Sequence, residues 1–227
     1  MRADAHCSFF VCYGFDRSRL LAMLKRLFDV LFSIAAGLLA LPVFIILAVT
    51  VRIVLGSPVM FSQERAGKER RPFMMKKFRS MTSDVDPHGK LLSDDERTGK
   101  FGALLRRSRL DELPELWSIV IGDMSVIGPR PILLKKIHAL GERGILRCSV
   151  RPGLTGWAQI NGNTKLTDDE KVDLDIWYIE NRTCLMDAEI IAKTVLVMIF
   201  GERRNEKRLA AAVSAARSRD RPRKGSQ

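Results

Sequence analysis

The chain has 227 residues, enough for one ordinary core plus an appendage. With 38 Lys and Arg against 26 Asp and Glu it carries a formal charge of +12, which calls for an anionic partner: nucleic acid, an acidic membrane surface or a phosphorylated substrate. Cys7, Cys12, Cys148 and Cys184 are scattered without a CxxC pair, so neither a zinc site nor a disulfide framework is indicated, and the dispersed His6, His88 and His138 receive no role.

Residues 1–24 read as a weakly structured extension. Val30 to Val51 is then a run of 22 uncharged residues, long enough as a helix to cross about 30 Å of hydrocarbon. It starts late and lacks a small-residue cleavage site, so it does not read as a signal peptide. A spanning helix that tolerates Pro42 is one reading. In the other, Pro42 removes a backbone hydrogen bond mid-run and bends the helix so that it leaves by the face it entered. Basic residues favour the second: Arg17, Arg19, Lys25 and Arg26 precede the run, and Arg52, Arg65, Lys68, Arg70 and Arg71 follow it. The positive-inside rule holds both ends on the cytoplasmic side. Residues 25–57 are therefore expected to form a re-entrant, Pro-broken membrane hairpin.

Gly56-Ser57-Pro58 marks a turn, and the apolar runs 59–61 and 73–75 suggest a pair of strands. Residues 84–98 read as a charged, solvated loop. Apolar residues at near-helical spacing predict an amphipathic helical segment from Leu104 to Val120. Gly128 to Pro131 interrupts regular structure, a helical pattern resumes at 132–146, 165–181 reads as a further helix or a turn-rich segment, and 186–200 is either a core or an interfacial helix. Residues 202–227 hold nine basic and three acidic residues and an Ala, Ser and Arg bias, so a disordered basic tail is expected over 205–227. The fold class that follows is α+β, mostly helical: a membrane-associated catalytic domain over 58–204 behind the hairpin.

The chemistry centres on Leu110-Asp111-Glu112-Leu113-Pro114. Two adjacent carboxylates stand there among basic and apolar neighbours. Ser108 to Asp111 fits a capping pattern that would place the acids in the first helical turn, whereas Pro114 as the first helical residue would place them just before it. Arg106, Arg107 and Arg109 precede the pair, Lys76, Lys77 and Arg79 lie upstream, and Arg130 and Arg151 open Pro-Arg-Pro and Arg-Pro-Gly turns. As a group these form a candidate phosphate cradle, since the planar guanidinium bonds two oxygens at once.

Three ordered blocks, Leu110 to Pro114, Gly122 to Pro131 and Arg151 to Gly162, resemble the bacterial sugar transferases, the monotopic polyprenyl-phosphate phosphoglycosyl transferases. The resemblance extends from about Lys25 to Arg204 and implies a reaction: a UDP-sugar and polyprenyl (undecaprenyl) phosphate give polyprenyl-diphosphate-sugar and UMP. It implies Asp111 as the nucleophile that carries the phosphosugar, and Glu112 as a Mg²⁺ ligand or a base. Asp111 and Glu112 would hold the Mg²⁺ between them, while Arg79, Arg106, Arg130, Arg151 and Gln159 would bind phosphate or substrate. Glu115, Ser118 and Asn163 depart from the common pattern, replacing a frequent Gln, Asn and Arg. The implied setting is the cytoplasmic face of the bacterial inner membrane, with membrane lipid and other glycan-assembly enzymes as partners and no nucleic acid. Two rivals stay open: a basic membrane adaptor that binds nucleic acid or anionic lipid without catalysis, and a transferase that passes only the sugar and releases UDP.

Overall fold

The computed structural model describes residues 17–220. It begins with α1 (Arg17–Val54), a helix of 38 residues and hence about 57 Å long. Helical conformation starts within the expected N-terminal extension, whose residues 1–16 lie outside the described part, and it continues through Pro42. The expected break into two arms is not seen as an interruption, because a proline removes one hydrogen bond and bends a helix without ending it.

The two halves of α1 dock differently from its middle. Near the start, Arg26 donates to the carbonyls of Ile119 (2.7 Å) and Val120 (2.9 Å), and Lys25 pairs with Asp187 at 2.6 Å. Asp29, buried, accepts from the Val126 N–H at 3.0 Å. Further along, Val51 is fully buried against Phe78 and Leu105, and the Phe44 and Phe78 rings lie 4.8 Å apart. Between these contacts Ile34, Leu38, Leu39 and Leu41 are exposed. The helix is long and apolar enough to cross a membrane, yet both of its flanks rest on one domain.

The strand pair expected around residues 59–75 is present: β1 (Met60–Ala66) and β2 (Pro72–Phe78) are antiparallel, Met60 opposite Phe78 and Ala66 opposite Pro72. Alternation along β2 buries Phe73 and Met75 and sends Lys77 to that same inner face. Within the presumed loop 84–98 a short α2 (Asp94–Arg97) forms on a Ser93 and Glu96 capping box. Then follow α3 (Lys100–Arg107), α4 (Glu115–Ile121), β3 (Ser125–Ile127), α5 (Leu134–Ala139), α6 (Glu142–Arg147), β4 (Gly153–Thr155), α7 (Trp157–Ile160), α8 (Asp168–Asn181) and α9 (Cys184–Phe200). The last ends on Gly201 at φ 81°.

The two Gly and Pro blocks come together as the parallel pair β3 and β4, Ser125 opposite Gly153 and Ile127 opposite Thr155. A Cβ on Gly153 would come within 2.1 Å of the Gly128 nitrogen, so only glycine permits this backbone approach. Around the pair lies the core, built from Phe73, Met75, Ile119, Val126, Trp157, Leu174, Tyr178 and Ile190.

The tail differs from the sequence expectation. Residues Glu206–Asp220 form α10, which packs on α8 with Leu209, Ala212 and Ala216 buried. Arg208 lies 4.4 Å over the Trp157 ring and pairs with Glu189 at 2.5 Å, and Arg219 pairs with Glu180 at 3.0 Å. The composition concealed a narrow stripe at i, i+3 and i+7. Two of its members are alanines, which form helices readily and pack closely while adding little to hydrophobicity. Leu209→Ala should therefore cost about 2–4 kcal/mol in denaturant unfolding of the detergent-solubilised protein, while Arg217→Ala, on the exposed side, leaves the midpoint unchanged. Equal midpoints for both variants would mean that α10 is not part of the core.

Candidate active site

The acidic pair lies in a tight turn and not inside a continuous helix over 104–120. Ser108 closes α3, its hydroxyl donating back to the Leu104 and Leu105 carbonyls, so it does not cap the following helix. Arg109 then takes a left-handed conformation (φ 55°, ψ 17°), Leu110–Glu112 form a single 3₁₀ turn, and α4 starts after Pro114. Pro114 has no N–H to donate back to Leu110, so α-helical bonding resumes only beyond it. The reading with Pro114 at the helix start is the one observed.

Asp111 and Glu112 are each 7% exposed and border a cleft of about 1390 Å³. Their surroundings are unequal. Glu112 pairs with Arg130, with Lys77 at 3.0 Å and more distantly with Arg109 at 4.0 Å. Burial alone would raise its pKa, but the charges of Arg130 and Lys77 outweigh it and hold the carboxyl down at about 2. Asp111 moves the other way, raised by burial and by the Glu112 charge, with Lys77 and Arg130 only partly offsetting. Apart from its own backbone N–H, no hydrogen bond or ion pair holds the Asp111 carboxylate among the described residues. A third acid, Glu115, is 2% exposed, lies 3.2 Å from Lys77 and is pushed up to about 7, first by burial and then by the Glu112 charge.

Of the residues named from sequence, the structure brings Arg106, Arg130 and Gln159 to the cleft beside the acidic pair. Arg106 donates to Ser80 at 2.9 Å, and Gln159 donates to the Leu154 carbonyl at 3.0 Å while its Oε1 is buried without a partner. Arg79 also borders the cleft, but it is engaged by the Ser57 and Met81 carbonyls and the Ser83 hydroxyl, so it holds the loop that follows β2. Arg151 is elsewhere: it donates to the Gly122 carbonyl at 2.8 Å and does not line the cleft.

Lys77, expected only as one of a basic group, is the member that the strand alternation turns inward to the acids. Other residues of the site carry no such sequence signal. Arg65 also lines the cleft, donates to Gln63 at 2.5 Å, and has its pKa lowered by burial and by nearby Arg130. Behind Arg130 stands a buried ion pair: Arg147 bonds Asp175 through Nε (2.9 Å) and Nη2 (2.8 Å) and donates to the Arg130 carbonyl at 2.5 Å. This fixes the Pro-Arg-Pro turn. No sequence pattern announces it, since 28 residues separate the partners. Glu202, also at the cleft, accepts from the Asn163 amide and from the Thr164 N–H and hydroxyl. These bonds and the Arg109 charge outweigh burial and lower its pKa.

The raised pKa of Glu115 has a consequence for stability. From an ordinary value of 4.5 it rises to about 7 in the fold, so its ionisation opposes folding and stability falls as pH climbs between those values. Glu115→Gln removes that loss. Its stability relative to the parent should increase between pH 5 and pH 8 by on the order of 2 kcal/mol in chemical denaturation; a difference that stays flat or shrinks with pH would contradict the assignment.

A model of the family described as bacterial sugar transferase matches residues 20–201. Over 180 residues the chain is 39% identical to EpsL of Bacillus subtilis (strain 168), an uncharacterized sugar transferase, covering 79% of this chain and 89% of that protein. It is 36% identical over 194 residues to the exopolysaccharide production protein PSS of Rhizobium leguminosarum bv. phaseoli, covering 77% of this chain and 94% of that one. With the UDP-glucose:undecaprenyl-phosphate glucose-1-phosphate transferase of Escherichia coli (strain K12) it shares 37% identity over 185 residues, 76% of this chain and 39% of the larger protein. The matched region contains α1 from Leu20 onward, the acidic turn, the paired Gly and Pro blocks and the whole of α9. The chain therefore belongs to the bacterial sugar transferase family.

Proposed function

We propose that this protein is a phosphoglycosyl transferase that moves a phosphosugar from a UDP-sugar to a polyprenyl phosphate through a covalent intermediate on Asp111. The inequality of the acidic pair carries this reading. Glu112 is tied down by Arg130 and Lys77, whereas the Asp111 carboxylate faces the cleft unengaged and is made more basic by burial. The relatives support the substrate class, since one is named for UDP-glucose and another for UDP-N-acetylgalactosamine, both with undecaprenyl phosphate.

In the first step a carboxylate oxygen of Asp111 bonds to the β-phosphorus of the donor, and the bond from that phosphorus to the bridging oxygen breaks. UMP leaves with the bridging oxygen, and the phosphosugar stays as an acyl-phosphate. In the second, an oxygen of the polyprenyl phosphate attacks the same phosphorus, releasing the lipid-linked product and restoring Asp111. Lys77, Arg106 and Arg130 offset the negative charge that gathers around the phosphorus. Mg²⁺ is the cofactor this reading implies. Asp111 and Glu112 fit it as neighbouring carboxylates at the cleft, a hard oxygen donor pair that leaves the ion's other positions to substrate phosphates and water. When bound it would draw charge from the departing phosphate. A non-catalytic adaptor has no use for three buried acids around a basic cleft.

The membrane arrangement belongs to the same reading. Arg26 and Val51 lie on either side of the exposed apolar stretch, and both contact the catalytic domain. That supports a helix which enters and leaves by the cytoplasmic face. Cysteines introduced at position 16 and at the exposed Lys68, in a background with the native cysteines replaced, should both be labelled from the cytoplasmic side in vesicles. Labelling from opposite sides would establish a spanning helix instead.

Asp111→Asn tests the chemistry. The amide keeps the size and loses the charge, so UMP release should fall by at least about a thousandfold with the fold retained. Wild-type protein given a UDP-sugar without polyprenyl phosphate should release about one UMP per site and gain the mass of a phosphosugar. UMP formation by Asp111→Asn at the wild-type rate, or UMP release only when both substrates are present, would sink the covalent mechanism.

A further inference from the structure

Arg109 is the residue that joins α3 to the acidic turn, and its backbone is left-handed, with φ 55°. Glycine or asparagine would take that conformation with less strain, so an arginine there has to be explained by its side chain. The guanidinium borders the cleft but is gripped loosely: Glu202 lies at 3.5 Å and Glu112 at 4.0 Å. Arg130 and Lys77 hold Glu112 more closely than that, and Arg109 has donors to spare for an incoming anion.

The position within the cleft indicates which anion. Glu202 follows Gly201 at the end of α9, where Met198, Ile199 and Phe200 are exposed and also line the cleft. Val197 and Thr194 of α9 line a small hollow together with Arg109 itself. Arg109 thus lies where a polar cleft meets an exposed apolar helix end. A phosphate on a long hydrocarbon chain matches that junction, because its chain stays with the apolar residues while its head reaches the cation. Glu202 is braced on its other side by Asn163 and Thr164, so its carboxylate can hold Arg109 without moving.

We propose that Arg109 binds the phosphate of the membrane-borne acceptor, and that Glu202 is the residue that positions it; this rests on the phosphosugar-transfer reading above. Arg109 then acts in the second step only, when the acceptor attacks the phosphosugar on Asp111. The donor half-reaction, read as the UMP released without acceptor, is independent of it.

The test uses the full chain in detergent, undecaprenyl phosphate as acceptor, and whichever of UDP-glucose, UDP-galactose, UDP-N-acetylglucosamine and UDP-N-acetylgalactosamine turns over fastest. Arg109→Gln and Arg109→Gly should keep the UMP burst seen without acceptor while KM for undecaprenyl phosphate rises about tenfold or more. The glycine variant suits the left-handed backbone, so its loss cannot be assigned to misfolding of the turn. Arg109→Lys should recover part of the affinity, and Glu202→Gln should raise the acceptor KM with the burst intact. A slowed burst with an unchanged acceptor KM would assign Arg109 to the donor and overturn the proposal, as would wild-type kinetics in both Arg109 variants. Asp111→Asn, run alongside, separates the two readings. If it still releases UMP, phosphosugar transfer through Asp111 falls; if it is inert while the Arg109 variants behave as wild type, only the acceptor assignment falls.

Discussion

Three carboxylates, Asp111, Glu112 and Glu115, lie buried within five positions of one another, and the site depends on how their charge is balanced. Moving ions out of water costs several kcal/mol each unless partners are close and well oriented. Lys77 comes from β2 and Arg130 from the Pro-Arg-Pro turn, so the balance is assembled from distant parts of the chain. The cations do not serve the three acids equally. Glu112 receives most of their field, while Asp111 and Glu115 are left with burial as the larger influence and raised pKa values. One carboxylate is thereby fixed and ionised, and its neighbour is left unengaged at the cleft.

The same constraint explains the supports around the site. Arg130 can face Glu112 because the buried Arg147 and Asp175 pair holds its carbonyl, and Asp175 also accepts from the Ala158 backbone. The Pro-Arg-Pro turn is placed beside α7 by the close crossing of Gly128 and Gly153, which no larger residue would allow. α10 closes the outer side, with Arg208 over Trp157. Rigidity at the acids is therefore supplied by packing some distance away.

The membrane segment enters this arrangement through α4. Arg26 bonds the carbonyls at the C-terminal end of that helix, where a cation also meets the negative end of the helix dipole, and the acidic turn leads into its other end. With Val51 packed on Phe78, one residue beyond Lys77, the anchor touches both the helix that follows the acids and the strand that supplies their counter-ion. The connection fixes the acidic turn relative to the exposed apolar stretch of α1.

Much of this was legible in the residues themselves. The apolar run with its basic flanks, the strands around 60–78, the helices over 168–200 and the acidic pair at 111–112 each follow from local pattern, because periodicity and turn chemistry act over a few residues. Arg106, Arg130 and Gln159 were named beforehand and do border the cleft. Other features could be decided only by tertiary structure. Arg151 is, like Arg130, an arginine followed by proline in a turn, yet it faces the Gly122 carbonyl, since direction depends on what the turn packs against. The partnership of Arg147 with Asp175, the docking of a basic, alanine-rich α10, and the separation of Asp111 from Glu112 into a free and a bound acid depend on groups far apart in sequence. Sequence set which charges were available; burial and proximity, which exist only once the chain is folded, decided what each of them does.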